Sequence, residues 1–233
     1  VLASRELELT LTGRSAGLSE RVPMCGVPHH AVNIYIEKLV EKGYRVGLCE
    51  QLEEPKDAKG GIVERGLTQI ISKGTVTNSE SLDERDFNYI GNILDFEHAY
   101  AVSYADVTTG LIYVILIPHN NTKLVSEIVS LNIKEIVVES KVDNSIVNIL
   151  RNQFKLLVTC SDEISDNEQY RSIYESIDDE RLIKTIKHLL TYVTGMQMRT
   201  LTHMQHVIVK ENKNVLKMDM HTKRNLELTE SLR

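Results

Sequence analysis

Hydrophobic spacing changes several times along the first 75 residues, and each change predicts an element. Residues 1–6 read as the tail of a helix. Leu7, Leu9 and Leu11 then alternate with Glu8, Thr10 and Thr12, which predicts a strand with the leucines inward. Residues 13–17 read as a loop. Pro23, Gly26 and Pro28 fall within six residues and fix a tight, non-helical entry. From Ala31 the apolar positions are Val32, Tyr35, Ile36, Leu39 and Val40, one face of a helix. Gly43 suits the left-handed position that stops it. Tyr44, Val46 and Leu48 next alternate with Arg45 and Gly47, as in a half-buried strand. A polar loop over 55–61 and a strand over 62–71 complete this part.

The rest of the chain has a different rhythm. After a polar run over 77–86, apolar stretches at 89–96, 100–107 and 111–117 predict three successive strands. Asp106-Val107-Thr108-Thr109-Gly110 makes a hairpin turn between the last two. Helices over 123–131 and 145–152 alternate with strands over 135–139 and 155–159. Three antiparallel strands followed by alternating helix and strand predict a mixed α/β domain with helices layered on a sheet. Residues 161–175 are polar and read as irregular. Ser176 and Asp179 form a capping-box start for a helix to about residue 197, with Leu182, Ile183, Ile186, Leu189, Leu190 and Val193 on one face.

Composition narrows the partners. The 42% hydrophobic and 26% charged residues are ordinary for a globular chain, and the length allows two domains. No window approaches the roughly 18 uninterrupted apolar residues of a membrane helix, and the start has no signal-peptide character. The first residue is not Met, which suggests a piece of something longer. Three scattered cysteines, Cys25, Cys49 and Cys160, fit a reducing cytoplasm better than a disulfide framework. Residues 1–75 carry ten basic and ten acidic side chains, residues 76–176 seven and sixteen, and residues 177–233 ten and seven. The net −9 of the middle third makes it the poorest candidate for gripping DNA phosphates and better suited to a protein.

Direct candidates for bond chemistry are few. No Gly-x-x-x-x-Gly-Lys-Ser/Thr run exists, so the 233 residues hold no P-loop for ATP. Cys25, His29, His30 and Cys49 are the residue types of a zinc site, but their spacing matches no paired-ligand pattern. Cys49 also falls on a strand that calls for small apolar residues, so burial is its expected role.

The run Pro23-Met24-Cys25-Gly26-Val27-Pro28-His29-His30-Ala31-Val32, with Cys49-Glu50-Gln51 ending the following strand, resembles the mismatch-recognition domain of the MutS family. Lys73-Gly74-Thr75 resembles that domain's closing turn, and Met218-Asp219-Met220-His221-Thr222-Lys223-Arg224-Asn225-Leu226-Glu227-Leu228 resembles the opening of the family's core, or lever, region. The resemblance covers the whole chain in family order. It implies three parts: an N-terminally truncated mismatch-recognition domain over 1–75, a ribonuclease H-like connector domain over 76–200, and the start of a helical core over 201–233. The family's Phe-x-Glu probe would lie upstream of residue 1, and its clamp and ATPase beyond residue 233.

By the same resemblance Arg14, Met24, Pro28 and His30 match family positions near the duplex. Arg14 would touch phosphate, while Met24 and Pro28 would offer apolar surface at a kinked step. A solvated Arg, a core Met, a turn Pro and a capping His are the alternatives. The family usually carries a second cation near Gly13, which this chain lacks. Implied partners are mismatched duplex DNA, MutL through the connector, and a second copy in the parent protein. No cofactor is expected in these residues, whereas the parent would use ATP and magnesium. Two rival functions stay open. One is a ribonuclease H-like nuclease using Asp106 with Asp95 and Glu139, since two-metal hydrolysis needs converging carboxylates. The other is a purely protein-binding module.

Overall fold

The computed structural model describes residues 1–15, 20–53, 63–75 and 88–210. The chain divides into two units, Val1–Asp86 with Met196–Arg199, and Phe87–Gly195 with Thr200–Arg233. Residues 76–87, between the expected end of the first domain and the next strand, lie outside the described residues, as do the polar loop at 55–61 and the core-opening motif at 218–228.

The first unit contains α1 (Leu2–Glu6), β1 (Thr12–Arg14), β2 (Val22–Met24), α2 (Val32–Glu41), β3 (Val46–Gln51) and β4 (Arg65–Ile71). β1 pairs antiparallel with β2, and β3 with β4. The predicted helix forms because Ile36 and Val40 can bury together one turn apart. It stops at Gly43, whose φ of +85° lets the Tyr44 and Gly43 amides turn back onto the Leu39 and Val40 carbonyls. Residues 7–11 do not form the expected strand. An alternating run becomes a strand only where a neighbour accepts its backbone groups. Here the Ser4 hydroxyl takes the Leu9 carbonyl, and Glu8 turns left-handed at φ 55°.

The second unit holds β5 (Tyr89–Asp95), β6 (Ala99–Asp106), β7 (Ile112–Pro118), α3 (Asn121–Ser130), β8 (Glu135–Val138), α4 (Asn144–Asn152), β9 (Leu157–Cys160), α5 (Arg171–Tyr174), α6 (Glu180–Gln197) and β10 (Ile208–Val209). The sheet order is β10-β7-β6-β5-β8-β9. β5, β6 and β7 are antiparallel in sequence, whereas β8 and β9 run parallel to β5. This is the strand order expected of a ribonuclease H-like sheet. Every residue of β6 is buried, because helices cover both faces. Leu124 and Ile128 of α3 and Ile146 and Leu150 of α4 pack with Val102, Ile115 and Ile136 on one side. Ile186, Leu189 and Val193 of α6 pack with Ile90, Ala101 and Val114 on the other.

Three readings are revised here. Residues 168–174 are a short 3-10 turn and helix, and Tyr170, Ile173 and Tyr174 enter the α6 core. The polar letters around them concealed those anchors. Asp179, not Ser176, caps α6, since its Oδ1 accepts the Arg181 amide at 2.9 Å. Residues 201–209 complete the sheet unit, with Leu201, Met204 and Val207 buried in its core and β10 paired to β7.

Candidate nucleic-acid interface

The β1–β2 ribbon is open, with every residue but Gly13 exposed. Its register pairs Thr12 with Met24, Gly13 with Pro23 and Arg14 with Val22. Because side chains alternate across a strand, Thr12, Arg14, Val22 and Met24 share one face. The Thr12 hydroxyl donates to the Met24 carbonyl at 3.0 Å and holds that register. Pro23 fits because a two-stranded ribbon has open edges where a missing N–H costs nothing. Gly13 lies against Arg21, whose Cβ would stand 3.1 Å from any Cβ added there.

This face is apolar yet uncovered. Val22 is 41% and Met24 43% exposed, and Arg14 makes no ion pair among the described residues. Apolar side chains beside such a cation suit a duplex, with the cation on phosphate and the apolar tips toward a widened minor groove. The structure therefore brings Arg14 and Met24 together. Pro28 and His30 lie on the segment that follows. Pro28 is extended at φ −60° and ψ 138°, its carbonyl accepts the Ala31 amide, and His29 to Ala31 form a 3-10 turn into α2. Both Pro28 and His30 are exposed. Thr12 and Val22 belong with this surface and were not singled out from the sequence, whereas Arg21 sits beside Gly13 on the opposite, Pro23 face. The signal lay in the alternation either side of Pro23, which reads as a breaker until its edge position is known.

The carboxylates weighed for metal chemistry do not converge. Asp106 pairs with Tyr89, whereas Asp95 is six residues further along the same strand. At about 3.3 Å per residue the two lie roughly 20 Å apart. Asp106 is occupied in its turn, where Oδ1 accepts the amides of Thr108 at 2.8 Å and Thr109 at 3.4 Å. Asp95 accepts the Glu97 amide and meets His119 Nε2 at 3.1 Å, while Glu139 faces the ammonium groups of Lys184 and Lys141 at 3.7 and 3.9 Å. Two metal ions need shared carboxylates, and this geometry opposes a nuclease reading of Asp106. Among the described residues no three His, Cys, Asp or Glu side chains are placed to hold a metal. Cys49 is exposed rather than buried, since alternation with the half-buried Val46 and Leu48 sets it on the outer face of β3. No helix among the described residues is long and apolar enough to cross a membrane.

One unit bears an open two-stranded ribbon and the other a six-stranded sheet covered on both faces, so the chain is a mixed α/β protein of two units. The MutS domain I family model matches residues 1–80, and MutS domain II matches residues 88–205. The chain belongs to the MutS family. It is 42% identical over 234 residues to the DNA mismatch repair protein MutS of Bacillus mycoides (strain KBAB4) and to that of Bacillus cereus (strain G9842). Each alignment covers 100% of this chain and 26% of the relative. Identity to the DNA mismatch repair protein MutS of Bacillus licheniformis is 41% over 231 residues, 99% of this chain and again 26% of the relative. The chain thus spans about a quarter of the length of the curated relatives it matches.

Proposed function

We propose that this chain works in DNA mismatch repair, as the DNA-proximal scaffold and connector of a sensor for mispaired and unpaired bases. The observation that carries the reading is the β1–β2 ribbon, with Arg14, Val22 and Met24 on one exposed face of a MutS domain I fold. Arg14 neutralises a phosphate and fixes register on the duplex. Met24 and Val22 press against a step that unstacks easily, so a mispair is read through the low cost of kinking it. Pro28 and His30 extend the contact at the start of α2.

The second unit carries the partner surface in this reading. Its residues 87–176 carry six basic and twelve acidic side chains, an excess that disfavours phosphate and supports contact with a protein, which the family resemblance suggests is MutL. The parent protein acts as a cytoplasmic homodimer that hydrolyses ATP with magnesium. This part contributes binding and force transmission rather than bond chemistry.

Anisotropy titrations of a labelled duplex with one unpaired base, repeated across salt concentrations, test the reading. Arg14→Ala should weaken binding and lower the slope of log K against log salt by about 0.9, the share of one phosphate contact. An unchanged slope would remove Arg14 from the interface.

A further inference from the structure

Residues 200–210 form a strap along the second unit, held at three places. The first is the β6–β7 turn. Gly110 there has a φ of +76°, and a Cβ on it would clash with the His203 carbonyl oxygen, so only glycine admits the strap this closely. The Gln205 amide donates to the Gly110 carbonyl at 2.8 Å, the Gln205 side chain to the Thr109 carbonyl at 3.0 Å, and His203 Nε2 to the Val107 carbonyl at 2.8 Å. The second is the core, where Leu201, Met204 and Val207 are buried and the Val207 amide reaches the Ile173 carbonyl at 2.9 Å.

The third is weaker by backbone alone. β10 is two residues long, pairs parallel to β7 only at Tyr113 and Val114, and leaves Ile208 46% and Val209 44% exposed. So short a parallel pair with uncovered side chains has little to hold it. Lys210 follows immediately. Its amide donates to the Val114 carbonyl at 2.8 Å, and its ammonium lies 4.7 Å from the Tyr113 ring centre and 5.3 Å from that of Tyr104. Those two rings stack at 5.0 Å, and Tyr89 meets Tyr104 edge-on at 5.1 Å. Tyr104 is wholly buried, so the platform under the ammonium is fixed by the core. Burial holds the Lys210 ammonium below its usual range, opposed by the nearby Glu127 carboxylate.

We propose that Lys210 is a latch: its cation–π contact with the Tyr104–Tyr113 stack, more than the backbone pairing, keeps β10 on β7. Loss of the positive charge releases the short strand and leaves the rest of the sheet intact. Lys210 is therefore a positioning residue, and the aromatic trio of β5, β6 and β7 has a role beyond packing.

Residue-resolved amide exchange on the whole chain tests this. In Lys210→Met, which keeps length and loses charge, the amide at position 210 should exchange about tenfold faster, the scale of a partly desolvated cation–π contact. Lys210→Arg should stay within about twofold of wild type, because guanidinium makes the same contact. Tyr113→Leu should reproduce Lys210→Met at position 210. Amides of β5 and β6 should be unaffected in the lysine variants. Wild-type exchange at position 210 in Lys210→Met, equal acceleration by Arg and Met, or a uniform rise across β5, β6 and β7 would each overturn the latch.

Discussion

His188 is fully buried, and its two ring nitrogens have partners that define its state. Nε2 faces the Ser161 carbonyl at 2.8 Å and must carry a proton, so Nδ1 accepts from Asn92 Nδ2 at 2.8 Å. Asn92 also donates to the Thr185 carbonyl and accepts from the Ser103 hydroxyl, which ties β5, β6 and α6 into one satisfied polar cluster. Burial holds the His188 pKa below its ordinary value of 6.5, against the pull of Ser161, Glu139 and Asp162. The unfolded chain then binds a proton that the folded chain refuses. Stability is complete above pH 6.5 and falls as pH drops from there toward the depressed folded value, by at most about 1.4 kcal/mol per pH unit. Urea midpoints at pH 7.5 and 5.5 should therefore diverge more in wild type than in His188→Gln, and equal divergence would contradict the neutral-histidine assignment. The hydroxyl of Tyr104 differs, being buried with no hydrogen-bond partner among the described residues. Tyr104→Phe should keep the ring stack and change stability by less than about 1 kcal/mol, in the stabilising direction, by thermal melting. No spacing rule could have found either feature. Asn92, Ser103 and His188 are spread over 97 positions, and only the β5–β6 register and the packing of α6 on the sheet bring them together.

Elements were legible in proportion to how many of their faces are buried. β5, β6 and β7 carry long apolar runs because helices cover both sides, and their predicted limits differ from the observed ones by a residue or so. α6 showed its stripe for the same reason, and Leu182, Ile186, Leu189, Leu190 and Val193 are all buried. β1 and β2 were hidden, since a three-residue ribbon with a central Pro and an exposed apolar face has no periodic signature. The short helix α5 was hidden by its polar neighbours. Two changes test element ends directly. Asp179→Ala should cost about 1 kcal/mol through loss of the α6 cap, whereas Ser176→Ala should cost nothing measurable in denaturant melts. Gly110→Ala should cost about 2 kcal/mol or more, because it combines a left-handed φ with a Cβ driven against the His203 backbone carbonyl.

For the molecule as a whole, the MutS family signature runs the length of the chain, with its two matched domains meeting between residues 80 and 88. The mixed α/β class and the sheet order follow from the succession of elements, but the use of Arg14 and Met24 depends on a ribbon register that propensity does not specify. Charge is unevenly spread, with Arg14 and Arg21 making no ion pair among the described residues and the acidic excess in the second unit. A surface divided in this way should make DNA binding fall steeply with salt while contact with a protein partner survives. The most direct test puts a photoreactive benzophenone amino acid at Met24, on the ribbon's exposed face, and separately at Pro23 on the opposite face and at Glu163 in the acidic unit. Irradiation with a duplex carrying one unpaired base at low salt should crosslink strongly from Met24 and weakly or not at all from Pro23 and Glu163. Equal crosslinking from all three, or none from Met24 while Glu163 reacts, would contradict a DNA-facing ribbon.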